Sequence, residues 1–221
     1  MGLNFDETPS RRLPVYLLLD TSGSMAGAPI VAVNNGVGLL YRELMNNPNA
    51  LETVWISVIT FAQEAKRYPL TELSRFTPPV LTAGGATALG GALRELGRAL
   101  DTELIPNSPD RKGDYKPLAF LLTDGAPTDE WKSAAQALKA RTNARLGTFV
   151  ALGCGDKIET SVLKEVTDQV MLMRDVQAEA LQEFFRWVSA SVKQASIAAP
   201  RMGSGESLTV MPPPPPSIEM L

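Results

Sequence analysis

The stretch DTSGSM (20–25) brings one carboxylate and two hydroxyls into a single turn. Asp20, Ser22 and Ser24 occupy alternate positions directly after the apolar run VYLLL (15–19). Side chains at alternate positions of a roughly extended chain face the same way, and Gly23 allows the bend at low steric cost. These three side chains can therefore present hard oxygen donors to a single point.

Two later stretches carry groups of the same kind. LLTDG (121–125) ends a second apolar run with Asp124, and the glycine-rich loop TAGGATALGG (82–91) contains Thr82 and Thr87. A donor set of oxygens alone, without nitrogen or sulfur, suits Mg²⁺, and Mn²⁺ and Ca²⁺ accept the same donors. The sequence therefore predicts a divalent-cation site built from three loops.

The alternative interpretation is that these residues only form turns and helix caps. Asp, Ser and Gly are common in turns, and Ser24 would then cap the helix that follows. The metal site is favoured because a second Asp-Gly ends another apolar run and a loop of glycines and threonines lies between the two. We expect Asp20 and Ser22 to lie in a surface crevice, outside the core.

Composition excludes several classes of protein. The chain of 221 residues has no histidine and one cysteine, Cys154, so Ser-His-Asp and Cys-His catalysis and histidine-held zinc are excluded. A net charge of −3 provides no basic field for nucleic acid. No stretch reaches the ~20 apolar residues of a membrane span, and the first residues lack an apolar signal segment. We therefore expect a cytoplasmic protein that binds neither membranes nor nucleic acid.

Short apolar runs alternate with helical patterns along the chain. Strands are predicted at 15–20, 53–62, 118–125, 145–155 and 170–175, with an edge strand or loop at 68–73. Helices are predicted at 28–47, 88–104, 129–142, 157–167 and 178–196. This repetition predicts a three-layer, Rossmann-like α/β fold with an open, mostly parallel sheet and helices on both faces. Ligands of such folds bind beyond the carboxyl ends of the strands, where both Asp-containing stretches lie.

The chain divides into three parts by composition. We expect an N-terminal extension at 1–12, one domain at 13–199 and a flexible tail at 200–221 that contains five consecutive prolines. Within the domain, Thr128 is the expected N-cap of the helix predicted at 129–142, with Asp129 and Glu130 in its first turn.

The stretches DTSGSM, GGATALGGAL and LLTDG resemble the three loops of a von Willebrand factor A (VWA) domain with a metal-ion-dependent adhesion site (MIDAS). The resemblance covers roughly residues 13 to 196 and implies the VWA fold. It also implies how each side chain would meet the metal. Ser22 and Ser24 would bind it directly, Thr87 directly or through water, and Asp20 and Asp124 through waters.

Two details refine this resemblance. Ala86 separates the glycine pair from Thr87, where the common family form has no intervening residue, so Thr82 is the alternative ligand. The longer string LLTDGAPTDEW is similar to bacterial single-domain VWA proteins associated with tellurite resistance (TerY-like).

Two functional hypotheses follow. The first is a cytoplasmic adaptor or regulatory module, not an enzyme, in which a partner's carboxylate replaces a water on the bound Mg²⁺. The second is a Mg²⁺-dependent enzyme that handles phosphoesters with Asp20 or Asp124 as the reactive carboxylate. The first is favoured because no base is present to activate a nucleophile and no basic residue stands beside either strand end to hold phosphate.

Overall fold

A seven-stranded sheet forms the centre of the computed structural model, which describes residues 10–155, 158–174, 177–199 and 211–221, without the side chains of 142–144. The strands lie in the order β3-β2-β1-β4-β5-β6-β7. All neighbours pair in parallel except β3 and β7, which run antiparallel at the two edges. The strands are β1 (Leu13–Asp20), β2 (Val54–Phe61), β3 (Ala65–Glu72), β4 (Leu118–Thr123), β5 (Thr148–Cys154), β6 (Gln169–Met173) and β7 (Glu219–Met220).

The order of the strands reverses between β1 and β4, which are neighbours in space. In open α/β sheets this reversal leaves a crevice beyond the carboxyl ends of the two strands, because the connecting chains leave them in opposite directions. Asp20 is the last residue of β1, and Asp124 directly follows β4. The topology therefore brings the two aspartates to one crevice.

In the described part of the chain, six α-helices cover the two faces of the sheet. One core lies between the sheet and α1, α2 and α6, and the other between the sheet and α3, α4 and α5. The helices are α1 (Ala28–Met45), α2 (Pro48–Thr53), α3 (Leu89–Thr102), α4 (Lys132–Arg145), α5 (Thr160–Val166) and α6 (Ala178–Ala198).

Strand β1 explains why the run before Asp20 is almost wholly apolar. All eight of its residues are buried. Leu17 and Leu19 pack into the first core, while Tyr16 and Leu18 pack into the second. A strand covered on both faces needs apolar side chains at every position, which fixes the strand firmly before its polar end.

The predicted fold class is confirmed, with local differences. Residues 65–72 form the edge strand β3, and the sequence did not predict the short helix α2. Helix α4 begins at Lys132, three residues later than predicted, because Thr128 and Asp129 bind elsewhere. Among the described helices, none combines the length and the apolar character that crossing a membrane requires.

The predicted flexible tail is wrong for residues 211–221, and residues 200–210 lie outside the described part. Strand β7 pairs with β6, and Leu221 N donates to Val170 O at 2.9 Å. Ile218 is buried in the first core, and the Trp187 indole donates to Pro212 O at 2.9 Å. The segment is ordered because it supplies backbone partners to the edge of β6 and an apolar side chain to the core.

The predicted N-terminal extension lies mostly outside the described residues. Its last two residues are anchored at the amino ends of the strands. Arg12 forms a 2.5 Å ion pair with Asp114 and lies over the Trp55 ring, and Arg11 donates to Gly113 O at 2.7 Å. Position 13 is therefore the start of a strand and not the start of the packed structure.

Candidate metal centre

Asp20 is held by two donors at the end of β1. Its Oδ1 accepts from Ser22 N at 2.8 Å, and its Oδ2 accepts from the Thr123 hydroxyl at 2.5 Å. Asp20 is 0% exposed and Ser22 is 2% exposed, so the expectation of a surface position is wrong for both. Burial raises the pKa of Asp20, and nearby Asp124 adds to this rise, while the hydrogen bonds oppose it.

A chain of hydroxyl and carboxylate oxygens runs outward from this buried residue. Ser22 Oγ lies 3.0 Å from Ser24 Oγ, and Ser24 Oγ donates to Asp124 Oδ1 at 2.6 Å. Ser24 is exposed and Asp124 is half-buried. The oxygens therefore lead from the interior of the crevice to its mouth, where a partner could reach them.

Thr87 lies beside the same oxygens, across Gly125. A Cβ built on Gly125 would lie 3.4 Å from Thr87 Oγ1 and 3.8 Å from Ser24 Oγ. Thr87 is 6% exposed, whereas Thr82 is exposed. The structure thus brings together all five predicted residues, with Thr87 as the threonine, and Gly125 leaves open the space between two of the hydroxyls.

Backbone hydrogen bonds hold the first two loops against each other. Gly23 N donates to Gly85 O at 3.0 Å, and Gly84 N donates to Thr21 O at 2.9 Å. Gly85 has φ +80°, a conformation that glycine adopts without strain. A glycine-rich second loop can therefore approach the first closely enough for direct backbone pairing.

Three residues that support the site were not predicted. Thr123 holds Asp20, as described above. Thr128 binds Thr87 twice, because its Oγ1 accepts from Thr87 N at 3.0 Å and its N donates to Thr87 O at 3.0 Å. Asp129 accepts from Gly90 N at 2.9 Å and from Gly91 N at 2.8 Å, which caps α3.

The predicted roles of Thr128 and Asp129 at the start of the fourth helix are therefore wrong. Their side chains satisfy donors on the second loop and on α3, about forty residues earlier in the chain. At the start of α4, the Glu130 side chain accepts a hydrogen bond from Ser133 N at 3.1 Å instead. A Thr-Asp pair before a helical pattern is a signal for a cap, but the sequence alone does not say which helix end it caps.

The donor set fits a hard divalent cation. Adjacent oxygens around an octahedral ion with ~2.1 Å bonds are ~3.0 Å apart, which is the separation of Ser22 Oγ and Ser24 Oγ. Histidine is absent from the sequence, and Cys154 is buried, which raises the pKa of its thiol. The described residues include no group of three or more His, Cys, Asp or Glu that could hold a metal. The oxygen donors that these loops bring together are the hydroxyls of Ser22, Ser24 and Thr87 and the carboxylates of Asp20 and Asp124.

The family model for the von Willebrand factor type A domain matches residues 15–187. The chain belongs to the VWA family. The three loops described above lie inside the matched region, and VWA domains generally act as metal-dependent protein-interaction modules. No curated protein sequence matches the chain.

Several solved structures share the fold. A von Willebrand factor type A protein from Catenulispora acidiphila matches with a TM-score of 0.60 and 21% identity, over 83% of this chain and 43% of that one. The open form of the pilus adhesin SpaC from Lactobacillus rhamnosus GG matches with a TM-score of 0.64 and 16% identity, over 84% and 30% of the two chains. These identities establish a common fold alone.

A third solved structure that matches this chain contains a bound metal. Proximal thread matrix protein 1 from the mussel byssus, solved with a zinc-occupied MIDAS motif, matches with a TM-score of 0.54 and 20% identity, over 84% of this chain and 46% of that one. This chain thus spans less than half the length of each of these three proteins.

Proposed function

We propose that this VWA domain is a Mg²⁺-dependent binding module that recognises a carboxylate on a protein partner. One observation carries the proposal. The hydroxyls of Ser22 and Ser24 and the carboxylate of Asp124 form a continuous chain of oxygens at the strand-order reversal, with the Thr87 hydroxyl beside them. This arrangement can hold a cation and still leave one side open to a partner.

The hydroxyl and carboxylate side chains would contribute to the site in different ways. Ser22, Ser24 and Thr87 would bind the ion directly, while Asp20 and Asp124 supply negative charge and orient its waters. When bound, the ion supplies positive charge and an exchangeable water position that a partner carboxylate can take. Asp20 is fixed by Ser22 N and by the Thr123 hydroxyl, so its charge stays oriented whether or not a partner is present.

The same geometry favours binding over phosphoester chemistry. Both oxygens of Asp20 accept hydrogen bonds from the protein, which leaves this carboxylate poorly placed for attack on a phosphorus atom. The Arg94 guanidinium, which could otherwise bind phosphate, forms a 3.1 Å ion pair with Asp129. The test is hydrolysis of para-nitrophenyl phosphate in Mg²⁺. If the wild-type protein hydrolyses this ester and Asp124→Asn does not, this part of the proposal is contradicted.

The proposal also includes the cellular setting of the protein, which is inferred from the sequence. The resemblance of LLTDGAPTDEW to tellurite-resistance-associated proteins favours an adaptor in a bacterial stress system. A single cysteine is consistent with the cytoplasm, where disulfides are rare.

Metal binding can be tested with a glycine substitution that spares the ligands. Gly125→Ala places a Cβ in the space between Thr87 Oγ1 and Ser24 Oγ, at distances that are ordinary van der Waals contacts. The variant should fold but bind Mg²⁺ at least ~10-fold more weakly in calorimetry. Gly84→Ala is the matched control, because a Cβ there meets nothing within 4 Å. Equal Mg²⁺ affinity in both variants would contradict the assigned site.

The carboxylate requirement needs a separate experiment. Wild-type protein is titrated with a peptide that carries one central glutamate, and with the same peptide carrying glutamine, first in Mg²⁺ and then in chelator. Binding should require both the glutamate and the metal. Equal binding of the two peptides would contradict recognition through the metal, even if the metal site itself is correct.

A further inference from the structure

We infer that the partner presents its carboxylate within an uncharged, apolar segment, and that Val31 and Val80 contact that segment beside the metal centre. We call these two residues the valine patch. This inference rests on the proposed function, because it concerns the surroundings of the same site.

The loops that build the site carry almost no charge. Within 20–41, 76–93 and 117–128, Asp20 and Asp124 are the only charged residues. A divalent cation balances those two carboxylates, so these three segments themselves would meet the partner without further fixed charge. Charged groups begin at the borders, where Glu64 occupies the turn between β2 and β3 and Asp129 pairs with an arginine.

Both residues of the valine patch are unusually exposed for apolar side chains. Val80 is 86% exposed and Val31 is 56% exposed. Two half-buried prolines, at 78 and 79, stiffen the backbone that leads to Val80. A rigid, exposed apolar side chain loses little conformational entropy on binding, which suits a contact residue.

Asn34 brings the two valines to the same place. Its side-chain nitrogen donates to Ile30 O and to Leu81 O, each at 2.9 Å, so these carbonyl oxygens are less than ~6 Å apart. Its Oδ1 accepts from Leu81 N at 2.8 Å. Val31 directly follows Ile30 and Val80 directly precedes Leu81, so the coil and the helix present both valines along one flank of α1.

The valine patch adjoins the metal centre. Helix α1 starts at Ala28, immediately after the first loop, and Val31 lies in its first turn. Asn34 is six residues into the helix, which is ~9 Å along its axis. After Leu81 the coil reaches Gly84, whose N donates to Thr21 O in the first loop at 2.9 Å. A short extended segment can therefore span the metal centre and both valines.

The lack of charge on the three loop segments and the exposure of the valine patch together indicate which kind of partner segment would bind there. A partner segment with several charged residues would lose hydration against an uncharged face without gaining counter-charges. A segment with one acidic residue and apolar neighbours would place the acid at the metal and bury the valines. We therefore commit to a protein segment in which a single Glu or Asp is flanked by residues such as Leu.

Three synthetic peptides of equal length test this inference. Each has one central glutamate, and the flanking positions carry leucine in the first, serine in the second and lysine in the third. In Mg²⁺, the leucine peptide should bind ~10-fold more tightly than the serine peptide, and the lysine peptide should bind no better than the serine peptide. NMR of valine methyl groups should show shifts at Val31 and Val80 on addition of the leucine peptide.

Variants assign that preference to the valine patch. Val31→Ser combined with Val80→Ser should reduce the affinity for the leucine peptide to that for the serine peptide, with Mg²⁺ affinity unchanged. Leu51→Ser is the matched control, because Leu51 is an exposed apolar residue of α2. A leucine preference that persists in the double variant overturns the inference.

The glutamine versions of the peptides separate this inference from the function on which it rests. If glutamate is required but leucine and serine peptides bind wild type equally, the valine patch is wrong while carboxylate recognition stands. If glutamine peptides bind as well as glutamate peptides, carboxylate recognition itself fails, whatever the flanking residues do.

Discussion

Thr123→Val removes one hydroxyl from the interior of the metal centre and keeps the shape of the side chain. Thr123 is 1% exposed and donates to Asp20 Oδ2 at 2.5 Å. A hydrogen bond to a charged group contributes ~1.5–3 kcal/mol to stability. Because one kcal/mol shifts the Tm of a domain of this size by ~2–4 °C, we expect the variant to melt ~3–12 °C lower in chelator.

The same substitution should also weaken metal binding. Without the Thr123 hydroxyl, the Asp20 carboxylate is held by Ser22 alone and can rotate more freely away from the ion. Loss of a hydrogen bond that orients a group at a metal typically lowers affinity ~10–100-fold. Calorimetric titration with Mg²⁺ of the folded variant measures this change directly.

Thr123→Ser separates the hydroxyl from the packing. It keeps the donor and removes a methyl group, which costs about 1 kcal/mol of stability. We expect it to melt slightly lower than wild type and to bind Mg²⁺ with wild-type affinity. If folded Thr123→Val also binds Mg²⁺ with wild-type affinity, Asp20 does not need its orientation and the reasoning is refuted.

Three further predictions concern other contacts. Thr128→Val leaves the Thr87 amide without its acceptor and should weaken Mg²⁺ binding ~10-fold in calorimetry, whereas Thr128→Ser should restore it. Deletion of 211–221 should speed amide exchange in β6 and shift the fluorescence of Trp187, and unchanged exchange would show that β7 does not protect that edge. Burial opposes ionisation of Glu43, but hydrogen bonds from Lys193 and Ser189 outweigh it and lower the pKa of this carboxyl. Stability from Glu43 should therefore be present above the unfolded pKa of ~4.3 and be lost as pH falls through the folded value, and Glu43→Gln should flatten that part of the urea-unfolding profile.

The sequence predicts the sheet and the site residues because their signals are local. Each parallel strand is an apolar run, since both of its faces are covered. Asp20, Ser22 and Ser24 lie within five residues of each other, so their convergence needs only one turn. The topology then adds Asp124, because adjacent parallel strands end at the same edge.

The supporting residues were missed because their partners are distant in sequence. Thr123 looks like a strand residue, and its partner Asp20 lies 103 positions earlier. Thr128 and Asp129 read as a local helix start, although they bind the second loop. The proline-rich segment has no periodicity, and its order depends on Trp187 and on the free edge of β6, which no pattern within the segment reveals.

The long sequence separation within the site makes metal binding a property of the whole fold. The bond from Ser24 to Asp124 joins residues 100 positions apart, and a separate strand fixes each one. The unfolded chain has a low chance of bringing these oxygens together, because closing so long a loop costs entropy. Metal binding and global unfolding are therefore thermodynamically linked, and a Mg²⁺ concentration of 100 times Kd would stabilise the native state by ~2.7 kcal/mol. A core substitution far from the crevice that leaves much of the chain unfolded would weaken the apparent affinity for Mg²⁺ without touching a ligand.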